Sequence, residues 1–338
     1  MFKQAIAAFS LLAVGGAVLA HGAELPSYAV TARIAGPDGG WDLLNVDPAT
    51  QRLYIARSAS VTAVDLATGH VTGELVASTK GHDALPIPGT TRVLSTNGGS
   101  NTVTLFDGIT GAVIATLPTG TKPDAEAWDP VTRTAWVMTP GSGAITVIDP
   151  LAAKVIDTVA VGGSLELGVA DGEGRLYANI EDRNEVVVLD TRARKVVSRF
   201  PLTGCDGPTG IAYAADARLI LSACANGVAV VSRPDGQKVA SLKIGRHPDG
   251  ALYDAQRHVV LVPSGGDGTL AVIRLTPTPE LIASLPTAMG AKTAAIDPST
   301  GRVYLPSVQY APAQPGTRPA AIPGSFTVLV VSPTGAAQ

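Results

Sequence analysis

Acidic, histidine and lysine side chains recur at equivalent points in this 338-residue sequence. Acids that share a confined opening repel one another, and that repulsion is relieved by a cation, ordered water or backbone donors. Side chains at equivalent points of a repeat would face one common channel. The pattern therefore predicts a ring of acidic residues around the channel mouth, which we call the collar, and the collar is predicted to bind a cationic or polyhydroxylic ligand or a metal. The candidate ligand-binding residues are Trp41, Asp42, His82, Asp83, Asp124, Glu166, Asp249 and Lys292.

A structural role for the same carboxylates is an open alternative, since each could accept backbone N–H bonds from a neighbouring segment and so hold the fold together. A binding site for a particular ligand needs residues that break the symmetry of the acidic ring. Such residues are Trp41, His82, His247 and Lys292. The metal content is left undefined by the sequence, because His82 lies beside Asp83 but no HxH or HExxH spacing occurs. No cofactor is required, and a divalent cation is compatible with the collar.

The elements that position these residues repeat along the chain. Seven units recur at a spacing of roughly forty residues, the length of a four-stranded propeller blade. Each unit contains a run rich in β-branched residues without internal proline, as expected of a buried strand. These runs are VTAVDL from Val61, VTLFDG from Val103, ITVIDP from Ile145, VVVLDT from Val186, VAVVSR from Val228, LAVIRL from Leu270 and FTVLVV from Phe326.

The last unit supplies only three strands, and the missing fourth is found at the front of the chain, in SYAVTARIAG from Ser27. Pairing this segment with FTVLVV would close a ring and hide the edges of the β array. The sequence therefore predicts an all-β fold, a seven-bladed β-propeller with four-stranded blades that is closed by the N-terminal strand. We expect a single domain over residues 27–337.

Several segments carry a resemblance to a known family: GGWDLLNVDP, KPDAEAWDP, ADGEGRLYANIEDRNEVVVLD, CDGPTGIAY, GGDGTLAVI and IDPSTGRVYLP. Over nearly the whole mature chain the repeats resemble the YVTN-type β-propeller family, specifically its exported YncE-like members. The resemblance implies the propeller fold and no single agreed reaction, because propellers host binding platforms and enzymes alike. Some YncE-like relatives suggest single-stranded DNA binding.

The N-terminus has the features of a secretory signal peptide over residues 1–20, with Lys3, an apolar stretch and a small-residue cleavage site at Ala20. We expect a periplasmic or secreted protein without membrane insertion. The chain has two cysteines, Cys205 and Cys224, and an exported protein folds where a disulfide persists. These two residues are predicted to pair.

One face of the propeller is predicted to hold short, stereotyped turns, and the other to hold variable loops. The longest of these loops is an insertion at residues 307–325, and its prolines favour a stiff cover over a floppy one. Because loops of this length are commonly functional lids or disordered segments, a lid is preferred to an inert insertion. We place the binding site on this loop-rich face, and expect a small molecule or a protein as partner and a monomer in solution.

A non-catalytic binding or interaction platform is favoured over an enzyme, because no nucleophile with an adjacent base stands out. The alternative is a lactonase-like hydrolase that uses a metal or carboxylates at the channel mouth, as related propeller families do. Single-stranded DNA binding ranks lower, since the net charge is -3 and aromatic residues make up only 4% of the chain.

Overall fold

The computed structural model describes residues 25–276, 278–312 and 319–334. The expected signal peptide at residues 1–20 lies outside these described residues. The helices within them are two short 3-10 helices, Pro140–Ser142 and Glu181–Arg183. Among the described residues, no helix has both the length and the apolarity required to cross a membrane.

The described strands form seven four-stranded antiparallel sheets, which we call blades and number in chain order. The chain begins with β1 (Tyr28–Ala35), which belongs to the last blade. Blade 1 holds β2 (Trp41–Asp47), β3 (Arg52–Arg57), β4 (Ser60–Asp65) and β5 (Val71–Ala77). Blade 2 holds β6 (Gly81–Pro86), β7 (Arg92–Asn97), β8 (Thr102–Asp107) and β9 (Val113–Pro118). Blade 3 holds β10 (Glu126–Asp129), β11 (Thr134–Thr139), β12 (Ala144–Asp149) and β13 (Lys154–Ala160).

The remaining blades follow the same order. Blade 4 holds β14 (Leu165–Ala170), β15 (Arg175–Ile180), β16 (Glu185–Asp190) and β17 (Lys195–Pro201). Blade 5 holds β18 (Pro208–Ala214), β19 (Leu219–Cys224), β20 (Val228–Ser232) and β21 (Lys238–Lys243). Blade 6 holds β22 (Leu252–Asp254), β23 (Val259–Ser264), β24 (Thr269–Arg274) and β25 (Glu280–Pro286). Blade 7 holds β26 (Ala295–Ile296), β27 (Val303–Ser307) and β28 (Thr327–Pro333), with β1 as its outer strand.

The ring is closed as the sequence predicts. β1 pairs antiparallel with β28, from Tyr28 opposite Pro333 to Ala35 opposite Thr327. The hydroxyl of Tyr28 also donates a hydrogen bond of 2.8 Å to the carboxylate of Asp254 in blade 6. The all-β, seven-bladed prediction with N-terminal closure is therefore confirmed.

The hydrophobic core lies between neighbouring blades. The second and third strands of a blade are covered on both sides, so β11 is buried along its whole length, whereas the outer strand β13 alternates between exposed and covered residues. Trp136 and Met138 of blade 3 pack with Leu176 and Ala178 of blade 4 in one such layer. Continuous apolar runs thus form inner strands, and alternating runs form outer ones.

The predicted disulfide is confirmed. Cys205 lies in the loop before blade 5, and Cys224 ends β19, with 5.4 Å between their Cα atoms. Because Pro208 pairs with Cys224, the bond ties the loop that leads into the innermost strand β18 to the second strand of the same blade.

Candidate functional site

Each blade places one side chain at the same level around the central channel, and we call this the rim position. In β2 the ladder shifts register between Trp41 and Leu44, and Asp42 lies within this irregularity. A bulge of this kind re-aims a side chain away from the regular pleat. The rim residues of the seven blades are Asp42, His82, Asp124, Glu166, Thr209, Asp249 and Lys292.

All seven rim residues line one cavity of about 340 Å³, which we call the mouth. Six of the eight residues that the sequence nominated are therefore brought together. Five of the nominated residues are acids, and four of them occupy rim positions. The fifth, Asp83, lies outside the ring.

Asp83 lies one residue deeper than the rim, which corrects the expectation that it lines the mouth. The register of β6 and β7 shifts between Gly81 and Ala84, as it does between Trp41 and Leu44 in blade 1, so His82 is the equivalent of Asp42. Asp83 is only 3% exposed. Its carboxylate accepts hydrogen bonds from the side-chain amide of Asn45 at 2.9 Å and the main-chain N–H of Glu126 at 2.8 Å.

Trp41 also lies away from the mouth, contrary to expectation. Its ring packs edge-on against Phe326, with 5.4 Å between the ring centroids. It lines a separate groove with Tyr310 and Ile322. The indole therefore contributes to the packing between blades 1 and 7 and to the surface beside the mouth.

The insertion at residues 307–325 forms the other wall of that groove. Tyr310 and Ala321 pair in an antiparallel bridge, and the N–H of Gly324 donates a hydrogen bond of 2.6 Å to the carboxylate of Asp38. The insertion is thus anchored to the loop that leads into blade 1, while residues 313–318 lie outside the described part of the chain. Its role as a lid stays a prediction.

Three rim residues from consecutive blades converge on one imidazole nitrogen. Nδ1 of His82 lies 2.7 Å from Oδ2 of Asp42 and 3.6 Å from Oδ1 of Asp124. The hydrogen bond to Asp42 raises the pKa of His82, which opposes the effect of burial. The imidazole is thereby held between two carboxylates that also face the mouth.

The adjoining part of the rim, in blades 6 and 7, is organised around Lys292. Its ammonium group forms an ion pair with the carboxylate of Asp249. The main chains of the two residues are also joined, because the N–H of Asp249 donates a hydrogen bond of 3.0 Å to the carbonyl of Lys292. The single rim lysine is thus already paired with one of the four rim acids.

The ionised form of Glu166 is disfavoured by burial and by neighbouring acids. Burial raises its pKa to about 9, and the charges of Asp124 and Asp249 add to the effect. Burial likewise raises the pKa of Asp124 to about 6, although His82 partly offsets the rise. At neutral pH the Glu166 carboxyl group is therefore protonated and neutral, and a cation bound nearby would favour its ionised form.

The mouth also contains residues from loops. Glu181, at the start of the second 3-10 helix, and His247, in the loop before blade 6, line the same cavity. The sequence predicts variable loops on this face, but Glu181 is not among the candidate residues. No local pattern singles it out, because its distance from the rim is set by the turn after β15.

The channel below the mouth is acidic as well. Asp83 and Glu126 line a second cavity of about 250 Å³, which shares Asp249 with the mouth. Burial raises the pKa of Glu126 well above its ordinary range, and Asp83 adds to the rise. Glu126 lies two residues after the rim residue Asp124, and the sequence analysis did not identify it.

Comparisons with known proteins identify the fold. No protein-family model matches the chain, and no curated protein matches it in sequence. Among solved structures, the chain is similar to one in the crystal structure of the mitotic checkpoint complex, with a TM-score of 0.74 and 14% identity over 98% of this chain and 99% of that one. It is also similar to a chain of Kuenenia stuttgartiensis hydrazine synthase, with a TM-score of 0.68 and 19% identity over 79% of this chain and 92% of that one.

These similarities define the class of protein, a seven-bladed β-propeller. At such low identities they show the fold alone. The chemistry of the chain must therefore be argued from its own mouth residues.

Proposed function

We propose that this chain is an exported binding protein of the YVTN-type, YncE-like kind, and that its channel mouth holds a small cationic ligand. The charge balance of the mouth carries the proposal. Five carboxyl groups and a single lysine, Lys292, line the cavity. The five acids are Asp42, Asp124, Glu166, Glu181 and Asp249.

A cation is the ligand that would relieve the repulsion among these groups. Lys292 compensates Asp249, and His82 lies between Asp42 and Asp124. Glu166 has no ion-pair partner among the described residues and holds a proton at neutral pH as long as no cation is bound. A ligand with one or two ammonium groups would favour the ionised form of Glu166 and would gain charge-assisted hydrogen bonds. A cavity of about 340 Å³ suits a small molecule, although a protein partner at the loop-rich face would fit the same platform.

Two further observations support export and family membership. The Cys205–Cys224 disulfide suits an oxidising compartment such as the periplasm or the extracellular space. The repeated segments that resemble YVTN-type propellers form innermost, second and third strands of the blades and the turns between them. A chain of a multiprotein assembly shares the fold, which is compatible with a protein partner here.

Calorimetric titration tests the ligand class. The probes are spermidine and putrescine, with trehalose as a neutral comparison and an oligothymidylate as a single-stranded DNA. We expect the polyamines alone to bind, and the Glu166→Gln and Asp249→Asn double variant to bind at least about 10-fold more weakly, a loss of about 1.4 kcal/mol. The matched control is Asp216→Asn, which removes an exposed acid on the opposite face.

Other results would overturn the proposal. Equal binding of trehalose would show that charge does not select the ligand, and tight binding of the oligothymidylate would favour the DNA-binding alternative. The hydrolase alternative requires turnover of a lactone by the wild-type protein, which a pH-stat assay measures. Unchanged polyamine affinity in the double variant would place the binding site elsewhere.

A further inference from the structure

The donor atoms of Asp42, His82 and Asp124 lie close to the spacing of metal ligands. Ligands bound at about 2.0–2.2 Å and separated by angles between octahedral and tetrahedral lie about 2.8–3.6 Å from each other. The distances from Nδ1 of His82 to the two carboxylates are 2.7 Å and 3.6 Å. All three donor atoms lie within 4.8 Å of one another, so small side-chain rotations would suffice for them to share one ion.

This cluster differs from an ordinary histidine–carboxylate pair. On the opposite face, His258 lies 2.5 Å from Asp216, but the third neighbour there is the hydroxyl of Tyr253. Among the described residues, Asp42, His82 and Asp124 are the group of three acidic, histidine or cysteine residues that meets this spacing. The pair on the opposite face therefore provides a control with the same two residue types.

The orientation of the imidazole favours coordination through Nδ1. Nε2 of His82 faces the loop at Gly98, where a Cβ added to the glycine would lie 3.0 Å from it. The proton of a neutral imidazole can reside on Nε2, which leaves the lone pair of Nδ1 directed between the two carboxylates. A metal at this point would replace the proton that Nδ1 shares with Asp42.

Hydrogen bonds beneath the cluster hold the three segments that carry its donor residues. Asp83 bonds to Asn45 of blade 1 and to the N–H of Glu126 of blade 3, and so joins the three blades that supply the donors. The carbonyl of Asp42 accepts a hydrogen bond of 2.9 Å from the hydroxyl of Thr293 in blade 7. Asp42 and His82 lie on strands, and Asp124, just before β10, is held by the hydrogen bond of 2.9 Å from its N–H to the carbonyl of Met138, so the ligands are held in a fixed geometry.

From this geometry we infer that Asp42, His82 and Asp124 bind a divalent first-row transition-metal ion such as Zn²⁺. One imidazole nitrogen and two carboxylate oxygens suit such an ion, and its remaining positions would face the mouth and accept water or a ligand donor. The inference rests on the proposed function and deepens it, since the ion would be a cation at the same mouth. It uses Asp42 and Asp124, two of the five mouth acids, whereas Glu166 and Asp249, which are replaced in the polyamine test, are not among its ligands.

Zinc titration of the untagged protein tests this site, after a chelator has been applied and removed by dialysis. We expect one equivalent of Zn²⁺ to bind the wild type and to raise its melting temperature by mass action. His82→Ala and Asp124→Asn should each weaken binding at least about 10-fold, as the loss of a ligand or its support does. His258→Ala should bind like the wild type.

Further measurements test the metal site independently of the His82→Ala variant. If His82→Ala fails to fold by circular dichroism, the near-isosteric Asp124→Asn carries the test, together with the loss of the Co²⁺ visible spectrum. No zinc binding by the wild type, or equal losses in His258→Ala and His82→Ala, would overturn the site. Zinc binding that persists in the Glu166→Gln and Asp249→Asn double variant separates this site from the polyamine proposal. The zinc site and the polyamine site can then each be disproved without affecting the other.

Discussion

The carboxylate of Asp83 accepts a hydrogen bond from the main-chain N–H of Glu126 at 2.8 Å, across the boundary between blades 2 and 3. The same carboxylate accepts a hydrogen bond from the side chain of Asn45 in blade 1 at 2.9 Å. One buried acid thus connects three consecutive blades immediately below the mouth. This is the structural role that the sequence left open for the collar acids, and the structure gives it to Asp83.

Removal of this connection should destabilise the fold. In Asp83→Ala the buried N–H of Glu126 loses its acceptor, and the part-buried amide of Asn45 keeps only its hydrogen bond of 3.1 Å to the carbonyl of Ala84. An unsatisfied buried group costs about 1–3 kcal/mol, and the lost bond to Asn45 adds to this. We therefore expect the free energy of unfolding to fall by about 3 kcal/mol in urea titrations. Asp235→Ala, in an exposed turn, should change it by less than about 0.5 kcal/mol. A similar value for both variants would show that the connection does not stabilise the ring.

The position of Asp83 below the rim could not be predicted from the sequence. Matching units by residue type aligned Asp83 with Asp42, whereas the ladder register aligns His82 with Asp42. A shift of one residue moves a side chain to a different face of a strand. The bulge is the same in both blades, but His82 and Asp83 are adjacent polar residues, so residue type alone does not show which of them is the equivalent of Asp42.

The fold was predictable for a different physical reason. The sequence contains seven repeated strand patterns and one additional strand before Gly36. The simplest way to complete the last blade is the pairing of this strand, β1, with β28. The disulfide was predictable because the chain has two cysteines and the sequence predicts export to a compartment where a disulfide persists. In contrast, Glu181 reaches the mouth from a loop, and only the three-dimensional path of that loop shows this.

Glu166 should make stability depend on pH in a defined direction. Burial raises its pKa from 4.5 to about 9, so between these values the folded chain holds a proton that the unfolded chain has released. Stability therefore falls as pH rises through this window. Glu166→Gln has no proton to lose, so its melting temperature should exceed that of the wild type by an amount that grows from about pH 5 to about pH 9.

Thermal melts of both proteins in the presence of a chelator measure this difference, because a bound cation would stabilise the ionised form of Glu166. Added spermidine should reduce the difference at the alkaline end if the polyamine pairs with Glu166. A difference between the two proteins that stays constant across the pH range would contradict the proposed environment of this side chain.

The Cys205–Cys224 bond should contribute to stability without contributing to ligand binding. It joins residues separated by 19 positions, and a loop of this size stabilises the folded state by about 3 kcal/mol in the chain-entropy model. The double replacement of both cysteines by alanine should lower the unfolding free energy by a similar amount. Polyamine affinity should stay within about twofold, because neither cysteine lines the mouth. A parallel loss of affinity would show that the bond positions the rim.

Closure of the ring by β1 should be separable from the rest of the fold. A chain that begins at Gly36 lacks β1, so β28, with its apolar run Val328–Leu329–Val330–Val331, becomes an exposed edge that invites pairing with other chains. We expect a lower melting temperature and concentration-dependent association in sedimentation velocity. A synthetic peptide of residues 27–36 should restore the monomer by strand addition, whereas the same peptide with Val30 and Ile34 replaced by proline should not. An unchanged, monomeric truncated chain would mean that blade 7 is stable with three strands.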